Sequence, residues 1–106
     1  MIHNLNFDGT EYPAIITYSV LKNLAKDTKS ASLVELDQQI QNVEMFESIL
    51  WYSLIAGHRI EKKHLDLKRD QMEEFLDYCL IDFNKMLQED LLMIASGVLD
   101  VSGKKK

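Results

Sequence analysis

The sequence predicts a mainly helical protein, a small bundle of four to five helices preceded by a short β-hairpin. The segment of residues 43–57, VEMFESILWYSLIAG, is almost wholly apolar and too long for one buried strand, so we interpret it as the central helix. One proline and four glycines in 106 residues leave few interruptions to helices. Asp8-Gly9 lies between two short alternating stretches, a pattern typical of a tight hairpin turn.

The hairpin is expected within residues 2–16, where apolar and polar side chains alternate on both sides of the Asp8-Gly9 turn. Pro13 has no N–H to donate, so its strand should lie at an edge of the sheet or be short. Because two strands alone are marginally stable in water, the hairpin should pack on the helices.

Two amphipathic helices follow the hairpin. The first is predicted at residues 18–26, with Thr17 as its N-cap. Ser32 and Glu35 have the spacing of a capping box and predict the start of the second, which extends to Ile40. This second helix either continues into the central helix or breaks near residues 41–42.

The central helix carries two apolar residues on its polar side. At about 100° per residue, Trp51 and Ile55 fall close in angle to Glu44 and Ser48. Either another part of the chain covers them, or they form a patch that binds a partner. Gly57 is the predicted end of this helix, because glycine readily adopts the left-handed conformation that closes helices.

The C-terminal half is predicted as a charged connection at residues 58–70, a short helix that begins near Asp66 to Lys68, and a last helix at residues 83–99 capped by Asp82. Leu92 falls on the polar side of the last helix and joins Trp51 and Ile55 as a candidate partner-binding residue. We expect one domain over residues 1–101 and a disordered basic tail over residues 102–106.

The net charge and the cysteine content disfavour certain classes of partner and indicate the cellular compartment. A net charge of −5 disfavours nucleic-acid binding, which normally needs a basic face. The single cysteine excludes an internal disulfide and suits a reducing cytoplasm. No leader peptide opens the chain, and its longest apolar run is shorter than a membrane span. We therefore expect a cytoplasmic protein that contacts neither membrane nor nucleic acid.

No set of residues predicts catalysis, a cofactor or a metal. The candidate metal ligands are three histidines and one cysteine, and their spacing fits no zinc motif: His3, His58, His64 and Cys79. The neighbouring carboxylates of Glu73 and Glu74 point apart on a helix, whereas paired-carboxylate catalysis needs convergent groups. The expectation is a protein without enzymatic activity.

The order of these segments resembles that of the tail assembly chaperones of long-tailed bacteriophages. The resemblance covers residues 2–99: a hairpin of the form xFDGxEYxA, a helix with V-L-x-x-L, the segment E-x-I-L-W-Y-x-L-I-A-G at residues 47–57, a short E-E-F-L-D helix and a final amphipathic helix.

The resemblance implies a non-enzymatic factor of phage or prophage origin. Such a factor binds the tape measure protein in the host cytoplasm, helps to recruit tail tube subunits, and is not expected in the mature virion. A further expectation comes from the residues themselves: Trp51, Ile55 and Leu92 suggest a surface that is covered only in an assembly, which is either a homo-oligomer or a complex with a partner. Lys104 to Lys106 either form a solvated tail or mark a frameshift site that gives a longer, tube-recruiting form. The alternative function is a helical interaction module, such as a phage-encoded regulator or an antitoxin-like binder.

Overall fold

The computed structural model describes residues 2–30, 32–40 and 42–104, and it describes the backbone alone at 33, 34, 37, 40 and 92–104. Its described part is mainly helical with an N-terminal hairpin, as predicted. Three helices of 11, 16 and 33 residues and one of 8 residues follow the hairpin. The described chain therefore has fewer helices than the five segments that the sequence predicted, because the two predicted C-terminal helices are joined in one element that is interrupted at Cys79.

The hairpin has the predicted position and turn. β1 (His3–Phe7) pairs antiparallel with β2 (Thr10–Ala14), and Leu5 lies opposite Tyr12. The turn residues Asp8 and Gly9 both have positive φ, 52° and 83°. Positive φ at both central residues gives the twist that two-residue hairpins prefer, which explains the Asp-Gly sequence.

The first two helices also follow the predicted signals. α1 is Tyr18–Thr28, with Thr17 in the N-cap position. The Thr17 hydroxyl contacts Ser19 Oγ at 3.0 Å and does not cap the helix backbone. α2 is Leu33–Ile40, and Ser32 Oγ accepts a hydrogen bond from the Glu35 N–H, which is the serine half of the predicted capping box.

The break between α2 and the central helix occurs where the second alternative placed it. Asn42 Oδ1 accepts a hydrogen bond from the Glu44 N–H and starts a single 3₁₀ turn, Val43–Met45. The central helix α3 is Phe46–Glu61, so it begins three residues later than predicted. Val43 consequently lies outside the helix and is exposed.

The prediction that Gly57 ends the central helix is wrong. α3 continues to Glu61 and closes at Lys62, which adopts the left-handed conformation with φ 55°. Gly57 instead lies against the hairpin backbone. A Cβ at this position would overlap the Pro13 carbonyl oxygen and stand 2.5 Å from its carbon, so no other residue fits without moving β2.

The same face of α3 holds the hairpin through a hydrogen bond between main chains. Ile15 N–H donates to the Ser53 carbonyl at 3.1 Å. Ser53, Ala56 and Gly57 are all buried, and their small side chains let β2 approach the helix backbone closely.

The prediction of two C-terminal helices is confirmed in part: one continuous element is interrupted by a kink, but the break comes earlier than predicted and Asp82 does not cap the second helix. A 3₁₀ turn, Arg69–Gln71, leads into α4, Met72–Lys104. Asp82 lies inside α4 and is not its N-cap. The interruption is at Cys79, whose φ of −131° and ψ of 28° are not helical. The backbone is helical to Lys104, three residues into the predicted tail, whereas residues 105–106 lie outside the described chain.

The core forms where the hairpin, α1, α3 and the first half of α4 meet. Phe7 stacks on Phe75 with ring centroids 4.8 Å apart, and Phe46 packs near Phe83 at 5.4 Å. The largest fully buried side chains come from all of these elements: Leu5, Val20, Leu24, Ile49, Leu50, Leu54, Met72, Phe75, Phe83 and Met86.

Candidate partner-binding surfaces

The outward face of α3 carries Trp51 and Ile55, one helical turn apart. Ile55 is 38% exposed, and Trp51 is half-buried and packs against the core. Neither residue is enclosed by the described chain. Leu92, the third candidate, belongs to α4, but its side chain lies outside the described residues, so its place relative to the other two stays a prediction.

Contacts with α1 fix one flank of this face. Tyr52 donates its hydroxyl proton to Asp27 Oδ2 at 2.6 Å, and Arg59 Nη2 donates to Ser19 Oγ at 2.9 Å. The hydrogen bond to Asp27, together with burial, raises the pKa of Tyr52 above its ordinary value. These bonds link α1 to the side chains that border Ile55, so the face is supported by two helices.

A second apolar surface is a groove between the start of α3 and the start of α4. Its volume is about 300 Å³, and its lining includes Val43, Phe46, Leu76 and Leu80. The sequence pattern did not predict this groove. A partial signal was present, because apolar and acidic residues share one side of α4 at helical spacing, but the other wall comes from residues 43–47.

A buried polar cluster ties the N-terminus of the chain to α4. Asp90 is buried, its Oδ1 lies 2.8 Å from His3 Nε2, and its Oδ2 accepts a hydrogen bond from the Ile16 N–H at 3.0 Å. One carboxylate therefore joins β1, the segment before α1 and α4. This role of Asp90 was not predicted. Asp90 follows Glu89, and two successive acidic residues are typical of a solvent-exposed helix face.

The predicted metal-ligand candidates lie apart. His3 contacts Asp90, while His58 is buried with Nδ1 2.7 Å from the Leu54 carbonyl oxygen. His64 is exposed, and Cys79 is buried at the α4 interruption. Across the described residues, no three histidine, cysteine or acidic side chains converge in a way that could hold a metal ion.

The Cys79 thiol is in an unreactive environment. Burial, with a smaller contribution from the charge of Asp82, raises the pKa of Cys79 to about 12. Since the thiolate is the nucleophile, this environment suppresses nucleophilic chemistry at neutral pH.

Comparisons of the chain with protein-family models, with curated proteins and with solved structures found no match. A search of the helices over the described residues found none with the length and apolar character of a membrane span.

Proposed function

We propose that this chain is a non-enzymatic tail assembly chaperone of a long-tailed phage or prophage. In this proposal it binds the tape measure protein in the host cytoplasm and helps to recruit tail tube subunits, with a frameshifted longer form as one route. The pattern of segments at residues 2–99 supports the family, and the exposed apolar face of α3 supports a binding role.

The observation that carries the proposal is the position of Trp51 and Ile55 on the outside of a helix whose opposite face is core. The exposed side chain of Ile55 and the exposed part of Trp51 leave adjoining apolar surface in water, which lowers the solubility of a monomer. The same pair is well suited to a partner, since tryptophan is enriched among residues that dominate binding energy. The α1 contacts of Tyr52 and Arg59 hold this face in place, which lowers the entropy lost on binding.

The proposed client is an apolar stripe on a long helical protein. A helix laid across α3 would cover Trp51 and Ile55 with side chains spaced three and four residues apart. The excess of acidic residues would keep the complex in solution while the apolar contacts supply affinity. Binding of this kind survives moderate salt, because its main component is burial and not charge pairing.

The test is co-purification with helical fragments of the tape measure protein from the same genome. The variant Trp51→Gln with Ile55→Gln should lose the client while circular dichroism shows an intact fold. The matched control is Ile60→Gln, because Ile60 is 49% exposed on α3 but lies away from this face. That variant should bind like the wild type.

Two results would contradict the proposal. One is undiminished co-purification by the folded double variant, which would exclude this face as the binding surface. The other is a genome that carries no tape measure gene beside this one, which would favour the alternative of a helical interaction module. The same gene sequence tests the frameshift: mixed lysine codons at 104–106, without an uninterrupted adenine run, would remove it.

A further inference from the structure

The groove between the start of α3 and the start of α4 is open to solvent, and several of the apolar side chains that line it are exposed. Val43 is 72% exposed and Leu80 is 48% exposed, while Phe46 and Leu76 form a half-buried floor. Val43 is held outward by the 3₁₀ turn that Asn42 caps. This groove is separate in sequence from the Trp51 and Ile55 face and has no part in the proposed client contact.

Three carboxylates border the groove: Glu47, Glu73 and Asp77. Glu47 is partly neutralised by Arg69, whose Nη1 lies 3.6 Å from its Oε1. Glu73 and Asp77, one helical turn apart on α4, form no ion pair with a described residue. The groove therefore presents an apolar floor with unpaired negative charge on its α4 side, which is complementary to an apolar segment that carries several positive charges.

The chain contains such a segment at its own C-terminus. Lys104, Lys105 and Lys106 are the longest run of basic residues in the sequence. Val98, Leu99 and Val101 precede this run and supply the apolar side chains. We propose that the C-terminal segment of a second copy of this chain docks in the groove, with its lysines beside Glu73 and Asp77.

The segment must come from another copy. Leu80 lies in the groove wall, and the same helix continues from it to Lys104. At 1.5 Å per residue, Lys104 is about 36 Å from Leu80 along the helix. A helix cannot fold back on its own first turns, so the end of α4 lies away from the groove of its own copy and is available to the groove of the next copy.

This contact is expected to be modest in strength and sensitive to salt. Exposed charge pairs contribute little individually, and two or three of them together change an affinity by about five- to tenfold. The rest of the binding free energy comes from burial of the apolar floor of the groove. Because the groove and the tail are different surfaces of one chain, the association is head-to-tail, and the mean mass should rise with concentration.

The experiment is a charge exchange on the full chain, measured by sedimentation and light scattering without any client. The tail variant replaces Lys104, Lys105 and Lys106 with glutamate. The groove variant is Glu73→Lys with Asp77→Lys, two exposed positions where the fold should tolerate the change. Each variant alone should weaken self-association about fivefold or more, and an equimolar mixture of the two should restore it.

A matched control for the groove variant removes the effect of its change in net charge. Glu74→Lys with Glu89→Lys makes the same charge change on exposed positions of α4 that do not line the groove. This control should associate like the wild type, and circular dichroism should show the same helix content for every variant.

Three results would overturn the proposal: a wild type that stays monomeric to about 1 mM, a tail variant that associates as strongly as the wild type, or a mixture of tail and groove variants that is no stronger than either alone. Because the client is absent from these measurements, their failure leaves the proposed client-binding function untouched. Loss of client binding would likewise leave this self-association intact.

Discussion

Replacing Gly57 with alanine tests the close packing of α3 on β2. In an ordinary helix this change stabilises by about 1 kcal/mol, because alanine has the higher helix propensity. Here the new Cβ would overlap the Pro13 carbonyl and stand 2.6 Å from the Ala14 nitrogen. These are backbone atoms, so relief requires a shift of the whole strand.

The expected net effect is destabilisation. Forcing a methyl group into a packed core costs about 1–3 kcal/mol, and rigid backbone neighbours place this site at or above the upper end. After the gain in helix propensity, Gly57→Ala should lose about 2 kcal/mol, or roughly 10 °C in Tm for a domain of this size. A shifted strand would also lengthen the bond from Ile15 N–H to the Ser53 carbonyl.

A neighbouring substitution gives a matched control of opposite sign. The Ser53 hydroxyl is fully buried on the same face and has no hydrogen-bond partner among the described residues. Ser53→Ala removes that unpaired group and improves helix propensity, so it should stabilise by up to about 1 kcal/mol. Urea unfolding followed by circular dichroism measures both variants. A Gly57→Ala protein as stable as the wild type would refute the close approach of β2 and α3.

Three further predictions concern the core and its polar groups. Leu50→Ala should cost about 2–5 kcal/mol, since Leu50 is fully buried; a Tm within a degree or two of the wild type would show that the predicted helix phase is wrong. Asp90→Ala should cost about 2–4 kcal/mol in urea unfolding because it leaves His3 and the Ile16 N–H unpaired, and Asp90→Asn, which can keep one bond, should cost less. Cys79, with its pKa raised to about 12, should react with a thiol reagent at pH 8 about a thousandfold more slowly in the folded than in the unfolded protein; equal rates would mean that the thiol is exposed.

Local signals predicted the first half of the fold well. The Asp8-Gly9 turn sets the hairpin register by itself, because only a few residue pairs tolerate two successive positive φ values. Ser32 likewise marks the start of α2 through a bond that stays within four residues. Such features depend on neighbouring residues alone, so the sequence contains most of the information that specifies them.

The errors arose where residues distant in sequence decide the local structure. Gly57 is typical of a helix end, yet here its missing side chain makes room for Pro13. The apolar phase of α3 correctly placed Leu50 in the core, but it left open whether Ile55 is covered, which only the packing of other segments decides.

The surfaces were harder to predict than the elements. The groove between the start of α3 and the start of α4 combines residues near 45 with residues near 77. The Asp90 cluster joins His3 of β1 to α4. Neither arrangement repeats at a helical or strand period, so no pattern within one segment indicates them.

Client binding at the outward face of α3 is the central proposal. Trp51 reports on that face directly, because it is the single tryptophan of the chain. Titration with a tryptophan-free helical fragment of the tape measure protein should shift Trp51 emission to shorter wavelength as the exposed part of its side chain loses water. The shift should saturate at the same concentration as binding measured by calorimetry. Saturable binding with unchanged Trp51 emission would place the client elsewhere on the molecule, and no binding at all would contradict the proposed function.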